Sequence, residues 1–398
     1  MRILHVHCDP YYPLGLGGSE VANRGVLEML VRAGFEVEAV CRKYNGHPGA
    51  PRTPEQLATW EAEWVAAVRG LGGTVDPSRD RFTLGGVDVH LAADDDALLE
   101  LFARRVDQRA PDRVLISGYE RDPPRLLERV VEACGRRAFH LAHSVMSLPF
   151  GPHAWLPSEP ERELLARLGG IVACSRYVAD YIRRWGQLEA TPLYFPAYST
   201  EPLHSLGSPS GHVTFVNPCA MKGLAVFAEL ARALPAVKLV AVPHWGTGPD
   251  DLDILGKLPN VTLGAPSHSP NEFLRGSSVV VMPSLCYEGL GLVPIEAMAR
   301  GIPVLLSDLG ALREASLGVA RLLPVNPLAV SRGADGRPIF TAPPQRIEAW
   351  ALALTQLLAD PAAYRAASRA AEERARAFIA AIEIETRAGL CHLLRESE

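Results

Sequence analysis

"VVVMPSLCYEGLGLVPIEAMARGIPVLLSD", residues 279–308, holds one complete unit of an alternating architecture. "VVVMPS" (279–284) is apolar and β-branched, has the length of a buried strand, and is closed by proline and serine. A loop with Gly289 and Gly291 follows, then a helical pattern from Leu292 with Pro294 in its first turn, where a missing N–H is harmless. "PVLLSD" (303–308) is the next strand. Strand, helix, strand in that order is the signature of a parallel sheet. The N–H groups of Leu290, Gly291 and Leu292 stand at the helix start and are suited to an anion. Glu288 and Glu296 bracket the same loop, and a carboxylate repels a phosphate. Their suitable partners are hydroxyl groups, which a charged acceptor holds with about 1.5–3 kcal/mol per bond.

The same alternation extends outward in both directions. Downstream of residue 211 the strands are "HVTFVN" (212–217), "VKLVAVP" (237–243) and "VTLGA" (261–265), with helices near 223–234, 250–258, 270–276 and 292–300. Upstream are "RILHVHC" (2–8), a helix near 19–33, "EVEAVCR" (36–42), "RVLISG" (113–118), "AFHLAHS" (138–144), "GIVACS" (170–175) and "TPLYF" (191–195). Residues 44–90 are less regular and read as an insertion, with a helix at 54–69 and a hairpin through Gly85-Gly86. "STEPLHSLGSPSG" (199–211) lacks periodicity and reads as a linker. The alanine- and arginine-rich tail (344–395) reads as two or three helices without strand signals.

The expected fold class is therefore α/β, with two Rossmann-like domains facing each other across a cleft. The expected division is 1–203, 212–375 and a terminal helix, 376–398, that packs back on the first domain. In such sheets ligands bind beyond the carboxyl ends of the strands.

The chain has 398 residues, too many for one core. Its 48% hydrophobic and 21% charged residues are those of an ordinary globular protein. A net charge of -5 argues against non-specific nucleic-acid binding. Seven scattered cysteines without a C-x-x-C pair fit a reducing compartment, and neither a signal peptide nor a membrane span is legible, so the expected location is the cytoplasm.

"EGLGLVPIEAMARGIPV" (288–304) resembles the E-x7-E signature of retaining glycosyltransferases of the GT-B fold, in particular glycosyltransferase family 4. The resemblance implies that Glu288 faces a donor sugar, that Glu296 holds ribose hydroxyls, and that the backbone at Leu290, Gly291 and Leu292 meets sugar and diphosphate. "GLGGSE" (15–20) resembles the family's N-terminal glycine loop, which puts the Gly18 amide on the donor phosphate. No complete G-x-G-x-x-G follows, which argues against a dinucleotide site. In "FVNPCAMKG" (215–223) Lys222 matches a family lysine that clamps the diphosphate. Asn217 stands where the family carries an arginine; asparagine can hydrogen-bond a phosphate but brings neither charge nor a bidentate fork. In "FHLAHSVMSLPFGP" (139–152) His143, at the strand end, fits the family histidine that faces the reacting sugar better than His140 does.

Two further features have plain structural readings. Ser175 reads as a helix cap. Asp94-x-Asp96 immediately precedes a helical run and reads as helix-terminal acid, so no metal and no cofactor are expected.

Taken together, the resemblance implies a metal-independent hexosyltransferase that moves a sugar from a UDP- or GDP-sugar to an acceptor with retention. Glu288, His143 and Lys222 are the candidates for catalysis, and Gly18, Asn217, Lys222, Glu288, Leu290, Gly291, Leu292 and Glu296 for donor binding. "SRYVADYIRRWG" (175–186) carries three arginines but also Asp180, which favours a small polar acceptor, such as a natural-product scaffold, over stable membrane association. An epimerase or phosphorylase on the same scaffold, a lipid- or polysaccharide-directed transferase, and a non-catalytic nucleotide-sugar binder remain alternatives. Oligomeric state is not legible.

Overall fold

The computed structural model describes the chain apart from Leu16, residues 45–52, 120–123 and 199–201, His268, residues 334–337 and 397–398, and the side chain of Pro54. Parts of the expected insertion, glycine loop and linker therefore lie outside the described residues.

The first unit runs β1 (Arg2–His7), α1 (Gly18–Arg32), β2 (Glu36–Arg42), α2 (Pro54–Gly70), β3 (Thr74–Asp76), β4 (Arg81–Leu84), β5 (Val87–Ala92), α3 (Asp95–Arg109), β6 (Arg113–Gly118), α4 (Arg125–Cys134), β7 (Ala138–Ala142), α5 (Glu159–Ala166), β8 (Gly170–Ala173), α6 (Arg176–Tyr181) and β9 (Thr191–Pro192). Among the described residues these strands form a nine-stranded sheet in the order β3-β4-β5-β2-β1-β6-β7-β8-β9. It is parallel from β5 onward, and β3 and β4 join antiparallel at one edge through the Gly85-Gly86 turn. The insertion thus extends the sheet.

The second unit runs β10 (His212–Val216), α7 (Leu224–Ala233), β11 (Leu239–Val242), α8 (Pro249–Gly256), β12 (Val261–Leu263), α9 (Pro270–Phe273), β13 (Ser277–Met282), α10 (Leu292–Met298), β14 (Val304–Ser307), α11 (Leu312–Ala315) and β15 (Arg321–Leu323). Its sheet is parallel throughout, in the order β12-β11-β10-β13-β14-β15. An antiparallel hairpin, β16 (Ala329–Arg332) with β17 (Pro338–Thr341), follows, and then α12 (Glu348–Ala359) and α13 (Pro361–Glu396).

Strand order reverses beside β1 in the first sheet, where β2 lies on one side and β6 on the other, and beside β10 in the second, between β11 and β13. A crevice opens beyond the carboxyl ends at each such switch point. The central strands are buried on both faces; all residues of β13 but Met282 are buried. Such strands read as continuous apolar runs, which is why the sequence shows them so clearly.

The helix α13 has 36 residues and passes 375 without a break, so the division expected there falls inside one element. Neither glycine nor proline occurs between Pro361 and Gly389, and the segment is rich in alanine, the best helix former. Its first turns belong to the second unit, where Tyr364 Oη donates to Ser278 O at 2.8 Å. Its last turns bury Leu390 and Leu394 in the core of the first unit. "TPLYF" contributes only Thr191 and Pro192 to the sheet, beside Val172 and Ala173. Among the described residues, no helix is long and apolar enough to cross a membrane.

Candidate functional site

A cavity of about 530 Å³ lies between the two units. All nine residues expected at a donor or catalytic site line it: Gly18, His143, Asn217, Lys222, Glu288, Leu290, Gly291, Leu292 and Glu296. The topology accounts for this convergence. Gly18 follows β1, Asn217 and Lys222 follow β10, and Glu288 to Leu292 follow β13, all at carboxyl ends beside a switch point.

Lys222 closes a short turn before α7, and its Nζ donates to Glu288 Oε1 at 2.7 Å. Ser284 Oγ, just past β13, donates to the same oxygen at 2.7 Å. Burial pushes the Lys222 ammonium towards deprotonation, but the Glu288 carboxylate outweighs this and raises its pKa. Cys286, beside the pair, has its thiol pushed up by burial and then by Glu288, so it stays protonated. The cavity lining thus holds a half-buried cation already matched by one carboxylate, with Glu296 as a second, buried on α10.

Asn217 has φ 61°, in the left-handed region that asparagine tolerates better than most residues. Its Oδ1 accepts from Gly246 N at 2.9 Å, while Nδ2 is sequestered from solvent without a hydrogen-bond partner. Asn217 therefore props the loop after β11 with one end and presents an unspent N–H donor with the other. Gly223, after Lys222, has φ 91°, and a Cβ there would lie 2.0 Å from Pro283 O.

Gly291 has φ 93° and precedes α10, and the N–H groups of Leu290, Gly291 and Leu292 find no acceptor among the described residues. Gly289 is set by a contact between the units. A Cβ there would lie 1.8 Å from His143 O, so this glycine allows the two units to touch. Ser175 Oγ donates to Gly289 O at 2.6 Å across the same contact and also caps α6, as expected, accepting from Val178 N.

His143 lies just past β7, where its Nε2 is 2.8 Å from Asn23 Oδ1. Asn23 Nδ2 donates to Ser117 Oγ at 2.9 Å, so its oxygen must accept, and Nε2 of His143 carries the proton. Burial, then repulsion from His7 and His140, lowers the His143 pKa to about 3, so the ring is neutral. His140 sits within the strand, with Nδ1 3.1 Å from Ile116 O.

Asp94 and Asp96 do not converge: Asp94 caps α3 through Ala97 N, and Asp96 pairs with Arg125. Residues the sequence did not single out also line the cavity, among them Trp245, 49% exposed and with its ring 5.9 Å from Lys222 Nζ. Tyr198 is another, its buried hydroxyl pKa raised by burial and then by Glu296. Asn23, Ser284 and Tyr198 carry no local motif, and only the fold brings them to the site.

Sucrose-phosphate synthase from Thermosynechococcus elongatus superposes with a TM-score of 0.69 at 18% identity, covering 98% of each chain. Anabaena HepE, solved with UDP-glucose, superposes with a TM-score of 0.62 at 15% identity, covering 98% of this chain and 99% of that one. The fold is GT-B. Within this GT-B chain, residues 212–360 match the family described as "Glycosyl transferases group 1". A D-inositol 3-phosphate glycosyltransferase of Segniliparus rotundus is 32% identical over 165 residues, which is 39% of this GT-B chain and 32% of that protein. The chain thus spans about a third of the length of the curated relative it matches.

Proposed function

We propose that this protein is a metal-independent, retaining glycosyltransferase that transfers a sugar from a nucleoside-diphosphate sugar to a small polar acceptor. The observation that carries this reading is the Lys222–Glu288 pair at 2.7 Å, set against the amides at 290–292 in an interdomain cavity. Diphosphate needs preorganised positive charge as it departs. Lys222, the amides of Leu290, Gly291 and Leu292, the N-terminus of α1 at Gly18, and the Asn217 Nδ2–H all supply donors. Each such donor aimed at developing charge contributes about 2.7–4 kcal/mol to lowering the barrier.

In this reading Glu296 takes the ribose hydroxyls and Glu288 the hydroxyls of the donor sugar. Neutral His143 turns its second nitrogen to the reacting sugar. The acceptor attacks from the face the leaving phosphate occupies, and a phosphate oxygen receives its proton. This order of events retains the anomeric configuration without a protein nucleophile. A closed cavity limits hydrolysis of the donor.

UDP-glucose in the HepE structure supports a uridine donor, and the substrate named for the curated relative, an inositol phosphate, supports a small polar acceptor. The resemblance to family 4 and a cytoplasmic location belong to the same proposal.

The test is transfer by a Glu288→Gln variant, with the product's anomeric configuration read by NMR. The expected result is a loss of at least a hundredfold in kcat with the fold intact, and a wild-type product that keeps the donor's configuration. Wild-type turnover in Glu288→Gln, or an inverted product, sinks the proposal.

A further inference from the structure

The carboxyl end of β1 carries a second group of ligating side chains that the donor site does not use. His7, the last residue of β1, is 4% exposed. Its Nδ1 lies 3.1 Å from Ser117 Oγ, which orients the ring, and its Nε2 is sequestered without a hydrogen-bond partner among the described residues. Two carboxylate oxygens face that nitrogen, Asp9 Oδ2 at 3.8 Å and Glu20 Oε1 at 3.9 Å. Both distances are too long for hydrogen bonds.

The same distances suit an ion between the three atoms. All lie within 4.8 Å of one another, so a point roughly 2.1–2.5 Å from each exists, which overlaps the upper end of the bond lengths of first-row divalent cations. We infer that His7, Asp9 and Glu20 bind a first-row divalent cation of the Zn²⁺ or Mn²⁺ type. One imidazole nitrogen with two carboxylates selects such an ion over Mg²⁺ or Ca²⁺, which take oxygen alone.

The surroundings fit a ligand set. A proton on Nδ1, donated to Ser117 Oγ, leaves the Nε2 lone pair facing the carboxylates, the outer-sphere arrangement typical of a ligating histidine. Asn23 Nδ2 and His5 Nε2, at 2.9 and 2.7 Å, hold Ser117 in turn. The Asp9 side chain is 40% exposed and leaves a route for the ion and for water. One charge opposes binding: Arg42 Nη2 lies 3.5 Å from Asp9 Oδ1, so affinity falls below that of a fully enclosed site.

Glu20 lies in the first turn of α1, and its carboxylate folds beneath the glycine loop. A Cβ on Gly17 would lie 2.2 Å from Glu20 Oε2, and one on Gly15 2.8 Å from Glu20 Cγ. The ion fastens the end of β1 to the loop that delivers Gly18. It orders this loop, and no step of transfer runs through it. The expectation of no metal rested on Asp94 and Asp96, which do not belong to this triad.

The test is calorimetric titration of the chelator-treated full chain with ZnCl₂ and, separately, MnCl₂, with Asp9→Asn and Glu20→Gln alongside. One saturable site is expected, with a melting temperature several degrees higher when loaded. Each variant is expected to weaken binding at least tenfold while still melting cooperatively without metal. Folded protein that shows no saturable binding, or binding unchanged in both variants, overturns the site. So does ¹⁵N NMR showing a doubly protonated His7 ring that Zn²⁺ does not alter.

Discussion

At position 143 a half-buried imidazole is held far below its ordinary pKa, first by burial and then by two neighbouring histidines. The sign of its effect on stability follows directly. Between pH 6.5 and the folded value of about 3, the unfolded chain binds a proton that the native chain refuses, so stability falls as pH falls through that window. The slope for one such group is at most about 1.4 kcal/mol per pH unit. Buried His5, also lowered, acts in the same direction. Urea unfolding at pH 7 and pH 5 is expected to show the loss, and His143→Gln to reduce it by about one proton; an unchanged pH dependence in the variant refutes the assignment. Position 217 shows what sequence conveys at this scale. That an asparagine stands there is legible, but its left-handed backbone and its hold on Gly246 N are not, because both depend on where β11 delivers its loop.

Elements meet across the cleft at a few residues that have no slack. Gly289 touches the carbonyl of His143, and Glu314 accepts from the amides of Arg176 and Tyr177 at the start of α6, at 3.1 and 2.6 Å. The ring of Tyr287 stacks on that of His153 with centroids 3.6 Å apart. Gly289→Ala must therefore separate β7 from the loop after β13 and break the Ser175 bond. Transfer activity is expected to drop at least tenfold with a larger radius of gyration in X-ray scattering; an active, unexpanded variant contradicts this. Long buried strands and amphipathic helices of both units are legible in the sequence because their apolar periodicity is set by burial alone. The hairpin β16–β17 is not, since every residue of β16 is exposed and no alternation marks it. Nor is β15, only three residues long at a sheet edge. The loop after β13 is legible for another reason: two glycines, a proline and two glutamates crowd into residues 288–296.

Over the whole molecule, α13 binds the units together. Thr386 Oγ1 donates to Tyr194 O at 2.6 Å, Arg32 pairs with Glu383 at 2.7 Å, and Leu390 and Leu394 are fully buried in the first core. Truncation after Glu385 removes both leucines, each contributing about 1.5–3 kcal/mol by burial. Scanning calorimetry is expected to show the first unit melting earlier while the second holds its temperature. A shift of the second unit instead contradicts this division of contacts. The helical tail and its return to the first domain are both legible in the sequence, but that one unbroken helix makes the passage is not, because no local signal marks where it leaves the second core.

Arg376 joins the two places where the chain passes between units. Its guanidinium donates to Ala299 O and to Leu203 O, both at 3.0 Å, and so pins the long helix beside the earlier crossing near residue 203. Two strands of covalent chain tied at one point behave as a single pivot. Such a pivot favours a hinge-like opening of the halves over a sliding of one along the other. Opening about that pivot is expected to widen the cleft most on the side away from Arg376, and distances measured between spin labels across that side that stay fixed when nucleotide is added contradict it.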